Sequence, residues 1–363
     1  MKKIIHVLTD TNVGGAGVWL MNFARAYDSV KYDCTAFLPE KSELSPKLIT
    51  LGMRVVEVPQ IADESFSKGG IKELRDRFKR EKPDIVHTHA SLSARIAAKE
   101  CGISVVSTRH CLEDPKTGAK RLIYGAVNNT LSNIVIGVSN AVCENLRKDG
   151  ISKRKLRLVY NGVYPLRKYT AEDKIRVRQK YGIPENAVTV GIVARLEPVK
   201  NHRLFLDSAS LICGARDDVR FVIVGGGSLE SELREYCREL AIEDKVVFTG
   251  YKPDITAEMN MLDINTITSE REALSISLIE GMSIGVPAIA TASGGPSEVI
   301  DNKKSGFIVP NYNKEAFAEA VLKLADSKEL RRKMGIEGMK RSREIFSVEA
   351  MSAKLEEIYD NLK

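Results

Sequence analysis

Two carboxylates eight positions apart, Glu272 and Glu280, straddle the start of a predicted helix that follows an apolar segment. Glu272 falls in the loop ahead of the helix, beside amides that no earlier turn satisfies. Glu280 lies about two turns further in and reaches sideways from the helix body. Between them, the amides of Leu274, Ser275 and Ile276 make an anion cradle assisted by the helix dipole. Hydroxyl acceptors on both sides of an anion cradle suit a sugar nucleotide, although two glutamates on a helix are also what a solvated face looks like.

Arg195 and Lys200 stand five residues apart, across Pro198, after the apolar run Val188–Val193. A fixed guanidinium fork and a mobile ammonium match a diphosphate. A nucleoside diphosphate that leaves with growing negative charge is stabilised by such cations more in the transition state than in the ground state. The chain has no Asp-x-Asp motif, which fits metal-independent chemistry. His110 follows the predicted strand Ser104–Ser107, next to Arg109, and an imidazole there could exchange a proton near neutral pH. Arg109 suits either a bound anion or a structural salt bridge. His87 and His89 share one face of a strand, but no third or fourth ligand lies nearby in sequence, so metal is not expected. His6 reads as a satisfied core histidine, and His202 as the start of a helix.

Gly14-Gly15-Ala16-Gly17 precedes a predicted helix and would let backbone approach phosphates or sugar closely. Gly225-Gly226-Gly227 serves equally a ligand or the geometry of a turn, and Gly294, Gly295 and Glu298 are expected to close the far wall of a pocket.

Strand-like and helix-like segments alternate along the chain, the pattern of an α/β protein with parallel sheets. The first series has strands at Lys3–Leu8, Tyr32–Leu38, Val55–Val58, Ile85–His87, Ser104–Ser107 and Ile134–Val138, with helices at Gly17–Tyr27, Ile71–Arg80 and Ser91–Glu100. The second has strands at Val188–Val193, Phe221–Val224, Val246–Phe248, Ile264–Thr268 and Ala288–Ala290. Its helices lie at Asn201–Ile212, Ser228–Leu240, Leu274–Ser283 and Glu315–Leu324. Two such series predict two Rossmann-like domains facing one another across a cleft, with the boundary between residues 162 and 186.

The 363 residues suffice for two cores. A hydrophobic content of 43% with 28% charged residues is that of a globular protein, and no apolar run reaches 18 residues. The six cysteines are scattered without a Cys-x-x-Cys pair, which argues against structural zinc and for a reducing, cytoplasmic setting. The net charge of +7 is uneven: residues 110–180 carry 15 Lys and Arg against 6 Asp and Glu, a local +9. Such a field suits an anionic acceptor or an anionic membrane face, or is a solvated basic face. No nucleic-acid module accompanies it.

Taken in order, the motifs resemble those of the retaining glycosyltransferases of family 4, two-domain enzymes of the GT-B fold. The set comprises Gly14–Gly17, Pro83-Asp84-Ile85-Val86-His87-Thr88-His89, Ser107-Thr108-Arg109-His110, Val138-Ser139, Asn161-Gly162-Val163, Ala194–Asn201, Val224–Gly227, Glu272-x7-Glu280 and Ser293–Glu298. Two departures stand out: Ala273-Leu274-Ser275 where the family often has Gly-Phe-Gly, and Tyr164 where it often has Asp.

The resemblance implies an N-terminal, acceptor-side domain over 1–164, joined by a returning helix at 346–363, and a donor domain over 165–345. It implies that His110 contacts donor sugar or acceptor and is catalytic, with Glu272, Arg195 and Lys200. Glu272 would orient the sugar through its hydroxyls, Glu280 would hold the ribose, and Arg195 and Lys200 the diphosphate. Gly15, Gly17, Gly226, Leu274, Ser275 and Ile276 would line the donor, and Tyr251 the nucleobase. His89, Arg109, Gly295 and Glu298 would form the acceptor side or pocket wall. No cofactor or metal is implied. The expected partners are a nucleotide sugar, most simply a UDP-sugar, and a glycan or lipid-linked acceptor of cell-surface polysaccharide synthesis. A sugar-nucleotide 2-epimerase and a non-catalytic sugar-nucleotide binder of the same fold are the alternatives.

Overall fold

A computed structural model describes residues 1–362, which form two compact units. The first runs from Met1 to Gly162 and takes back the stretch from Ser347 onward, and the second is Val163–Phe346.

In the first unit seven strands form one wholly parallel sheet: β1 (Lys2–Val7), β2 (Tyr32–Pro39), β3 (Arg54–Val58), β4 (Ile85–Thr88), β5 (Ser104–Arg109), β6 (Ile134–Gly137) and β7 (Leu156–Leu158). Their order across the sheet is β3-β2-β1-β4-β5-β6-β7, so the winding reverses between β1 and β4. Ile4, Ile5, Val7, Ile85, Val86, Val105 and Val106 are fully buried, as sheets covered by helices on both faces require. The covering helices start where the sequence supplies caps: Ser67, Ser91 and Ser139 each accept a hydrogen bond from an amide in the first turn. The helix Val348–Asp360 packs on Gly15–Ala26, and its Tyr359 is buried against the sheet, its hydroxyl 2.6 Å from His87 Nδ1. Residue 363, part of the expected returning segment, lies outside the described residues.

In the second unit six strands form another parallel sheet: β8 (Val188–Val193), β9 (Val219–Val224), β10 (Val246–Gly250), β11 (Ile264–Ile267), β12 (Ala288–Thr291) and β13 (Gly306–Val309). Their order is β10-β9-β8-β11-β12-β13, with the reversal between β8 and β11. In each unit the crevice beyond the carboxyl ends of the two strands at the reversal is where an open α/β sheet binds its ligand.

The periodic segments predicted from sequence are present with ends displaced by a few residues. Others went unread: the helices Gly118–Leu131, Asn140–Lys148 and Lys328–Ile345, and the edge strands β7 and β13. The first of these helices leaves Leu122 and Ile123 exposed.

Candidate active site

The second unit builds its site from the ends of β8 and β11. After β8 the chain turns through Ala194–Leu196, and the glycine run after β9 fixes that turn. Leu196 N–H donates to Gly226 O at 2.9 Å, and a Cβ on Gly225 (φ +146°) would stand 2.0 Å from Ala194 O. Gly225 and Gly227 therefore serve turn geometry, holding the Arg195 loop from behind, whereas a Cβ on Gly226 would meet Tyr251 at 3.3 Å. The loop carrying Lys200 is fastened to the end of β11, where Thr268 Oγ1 donates to the carbonyls of Lys200 and Asn201 at 3.0 Å each. Asn201, in the left-handed region, caps the helix His202–Ala215 through its side chain.

These constraints bring Lys200 to Glu272: Nζ and Oε2 are 2.6 Å apart, and both side chains are largely buried. Ser269 Oγ donates to the same carboxylate oxygen at 3.0 Å. Glu272 is also pinned through its backbone, its N–H donating to Ser293 O and its carbonyl accepting from Gly295 N–H, each at 2.9 Å. Gly295 is obligatory, since a Cβ there would lie 2.0 Å from Ala273 O. Gly295 thus acts by letting two backbones meet. Arg195 is not brought to Lys200: its side chain is 70% exposed and pairs with Glu197 at 2.7 Å. Tyr251 is exposed beside Gly226, and Glu298 sits in the short helix Pro296–Val299.

The helix expected from Leu274 begins at Ile276 and ends at Ser283. Its N-cap, Ser275, has φ +75° and ψ 90°, a conformation that a side-chain-bearing residue adopts under strain. This is the position where the family often has glycine. Ser275→Gly is therefore expected to raise stability by about 1 kcal/mol, read as the urea midpoint at unchanged slope. An equal or lower midpoint would show that the Ser275 hydroxyl, 3.4 Å from that of Ser277, outweighs the strain. Glu280 lies one turn into the helix, and burial, helped by Asp254, pushes its carboxyl up to about 7.

The first unit gathers imidazoles at the reversal between β1 and β4. His89 Nδ1 is 2.8 Å from His110 Nε2, and His89 Nε2 is 3.4 Å from His6 Nδ1. The rings of His87 and His89 stack, as do those of His89 and His110. His6 was missed as a neighbour because it is some eighty residues away in sequence; adjacency of β1 and β4 places it there. It is only half satisfied, since its Nε2 has no partner.

His6, His87 and His89 have the residue types of a metal centre. However, His87 already engages Tyr359 and Thr108 at 2.6 and 2.7 Å through its two nitrogens. Stacked rings also direct their lone pairs in parallel planes rather than toward one point, and metal ligation would break hydrogen bonds already made. Burial holds His6 and His110 down to about 3, the Arg109 charge adding to the effect on His110. Burial and the Arg109 charge thus favour the neutral form of the His110 ring.

His89 faces His110 and supports its ring. Arg109 bonds to Glu113 at 2.8 Å and to the Tyr124 hydroxyl at 2.5 Å. Among the glycines, Gly15 has open space where a Cβ would be, whereas Gly17 is buried against Val13 and Leu44. Gly17 thus packs the helix against Val13 and Leu44. His202 begins its helix, buried with neither nitrogen partnered.

With this geometry in hand, two family models match the chain: "Glycosyltransferase Family 4" over residues 13–166 and "Glycosyl transferases group 1" over residues 173–341. The chain is 26% identical to the N-acetyl-alpha-D-glucosaminyl L-malate synthase of Bacillus anthracis, over 99% of this chain and 97% of that one. It is 28% identical to the UDP-Gal:alpha-D-GlcNAc-diphosphoundecaprenol alpha-1,3-galactosyltransferase of Escherichia coli, over 70% and 69%. Among solved structures, HepE of Anabaena in complex with UDP-glucose superposes with a TM-score of 0.88 at 19% identity over the full length of both chains, a likeness of fold. The fold is GT-B.

Proposed function

Because the chain belongs to glycosyltransferase family 4, we propose that it is a retaining, metal-independent enzyme moving a sugar from a UDP-sugar to an anionic, glycan- or lipid-linked acceptor. The observation that carries this reading is the Lys200–Glu272 pair, held with Ser269 at the carboxyl edge of the β8–β11 reversal, with Glu280 on the helix behind it. A diphosphate arriving there takes over Lys200, and Glu272 is released to accept hydrogen bonds from sugar hydroxyls. Arg195, exposed on its own loop, swings from Glu197 to the same diphosphate. Glu280 takes the ribose hydroxyls.

In the transfer step the bond between the anomeric carbon and the diphosphate oxygen breaks while the acceptor oxygen bonds on the same face. The acceptor proton passes to the departing phosphate. His110 contributes a hydrogen bond to sugar or acceptor. The relatives point to acceptors with negative charge, since one is named for L-malate and another for a diphospho-lipid.

The donor site is tested by heat stability with UDP-, GDP-, ADP- and TDP-sugars, with and without EDTA. An EDTA-insensitive shift with UDP-sugars that is lost in Lys200→Ala supports the reading. No shift with any nucleotide overturns it.

Glu280 gives a further expected result. Only its ionised form accepts from both ribose hydroxyls, so UDP-sugar affinity should fall as pH drops through about 7. The loss should be about tenfold between pH 8 and pH 6. Isothermal titration with a UDP-sugar, whose diester phosphates do not titrate in this window, measures it. A flat profile identical to that of Glu280→Gln would remove Glu280 from the ribose site.

Membrane attachment is part of the same proposal. No helix among the described residues is long and apolar enough to cross a membrane. On the helix Gly118–Leu131, however, Leu122 and Ile123 are 71% and 64% exposed beside exposed Lys120 and Arg121. The helix packs on the basic turn after Asn140–Lys148, with Arg121 Nε donating to Lys148 O at 2.6 Å. Exposed apolar residues amid basic ones suit an anionic bilayer face. Sedimentation with phosphatidylglycerol vesicles but not with phosphatidylcholine vesicles is the expected result.

A further inference from the structure

Arg95 lies one turn into the helix Leu92–Glu100, which follows β4 at the carboxyl edge of the first unit's sheet, and is 5% exposed. Its Nε donates to Ser91 O at 3.3 Å, and its Nη1 donates to the Asn128 carboxamide oxygen. Neither partner is charged. Among the described residues no carboxylate pairs with Arg95, and its Nη2 has no hydrogen-bond partner while not being sealed from solvent. The strongest charge acting on it is another cation, Arg109, at the end of neighbouring β5.

A buried guanidinium without a counter-ion is destabilising by several kcal/mol, and a second cation beside it adds repulsion. A helix tether between Ser91 and Asn128 would need only neutral donors, so tethering leaves the charge unexplained. Arg109 is compensated through Glu113, and Lys116 through Glu113 and Asp149. The uncompensated positive charge therefore sits on Arg95, on the helix that follows β4, with Arg109 at the end of β5 acting on it.

We propose that Arg95, with Arg109, forms an anion subsite in the first unit that takes a phosphate or carboxylate group of the acceptor. Naming the anion's owner as acceptor rests on the transferase reading; the anion subsite itself does not. An incoming oxyanion would meet the unpartnered Nη2 of Arg95 beside the Arg109 guanidinium and supply the charge that the buried Arg95 lacks. Tyr124 and Asn128, on the inner side of Gly118–Leu131, hold the two guanidiniums in place: Tyr124 bonds Arg109, Asn128 bonds Arg95, and Asn128 Nδ2 donates to Tyr124 O at 2.7 Å.

The experiment fills the donor site with excess UDP and then titrates inorganic phosphate at constant ionic strength, following the melting temperature. The expected result is a second, saturable rise that survives in Arg95→Lys and is weakened at least tenfold in Arg95→Gln. Equal phosphate response in Arg95→Gln and the parent protein would overturn the subsite, as would no saturable response in the parent.

Should Arg95→Gln fail to fold, saturable 31P line broadening of phosphate by the parent protein, lost in Arg109→Gln, replaces it. Unchanged broadening in that variant overturns the proposal. Displacement of phosphate by phosphatidylglycerol vesicles, by glycerol 3-phosphate, or by malate supports the subsite and assigns its anion to a lipid headgroup, a soluble phosphate ester or a carboxylate. A UDP shift without a phosphate shift rejects the subsite alone. A phosphate shift without any UDP shift rejects the transferase reading alone.

Discussion

Lys200→Ala should lower kcat/KM with the preferred UDP-sugar ten- to a hundredfold or more, because a charge-assisted contact to the leaving diphosphate is worth about 1.5–3 kcal/mol. The same variant should also lose stability, since Glu272 keeps a largely buried carboxylate 2.6 Å from where the ammonium was. Both side chains retain some exposure, 19% and 12%, so the loss is expected at about 1–3 kcal/mol, below the full figure for a sealed pair.

The double variant Lys200→Ala/Glu272→Gln separates the two effects. Removing the orphaned charge should restore most of the melting temperature, while activity stays low because neither the diphosphate cation nor the sugar-facing carboxylate is present. Recovery of activity together with stability would mean that Lys200 serves only to neutralise Glu272.

The second large effect is acid lability confined to the first unit. His6, His87, His89 and His110 are all held well below their ordinary values, burial being the leading cause for each. A histidine with a depressed folded pKa contributes stability that is complete above its unfolded value of about 6.5 and is lost as pH falls below it. Each such proton is worth about 1.4 kcal/mol per pH unit. Rings that stay neutral in the fold should therefore make the stability of this unit fall as pH drops from 7.5 to 5.5.

In the second unit the signs oppose. His202, lowered to about 4 by burial and by Lys200, is destabilising on acidification. Glu280, raised to about 7, binds its proton more readily folded than unfolded and is stabilising over the same range. Hydrogen exchange at the two pH values, corrected for intrinsic rates, should show β1 and β4 losing protection while β8 and β11 change little. Equal loss in both units would mean that the histidine cluster relaxes around a charged ring.

The residues proposed to do chemistry were largely legible as residue types. Glu272, Glu280, Arg195 and Lys200 stand at short, fixed spacings next to strongly apolar segments, so local pattern alone puts them at strand ends and helix starts. The same holds for the parallel α/β architecture, because fully buried strands read as runs of Val and Ile. The helix Gly118–Leu131 went unread although it too is amphipathic, and its exposed Leu122 and Ile123 became visible only in the fold.

What only the tertiary structure decided is which residues meet across distance. Sequence spacing says nothing of strand order, and it is strand order that sets His6 beside His89 and Lys200 against Glu272. The same distant packing shows that Gly225 and Gly295 admit neighbouring backbone, that Gly17 is buried, and that Ser275 is strained where a glycine would not be. It also leaves Arg95 buried without a counter-charge. Burial and partner identity depend on elements tens to hundreds of residues apart, so the charge state of a side chain belongs to the fold, whereas its chemical type belongs to the sequence.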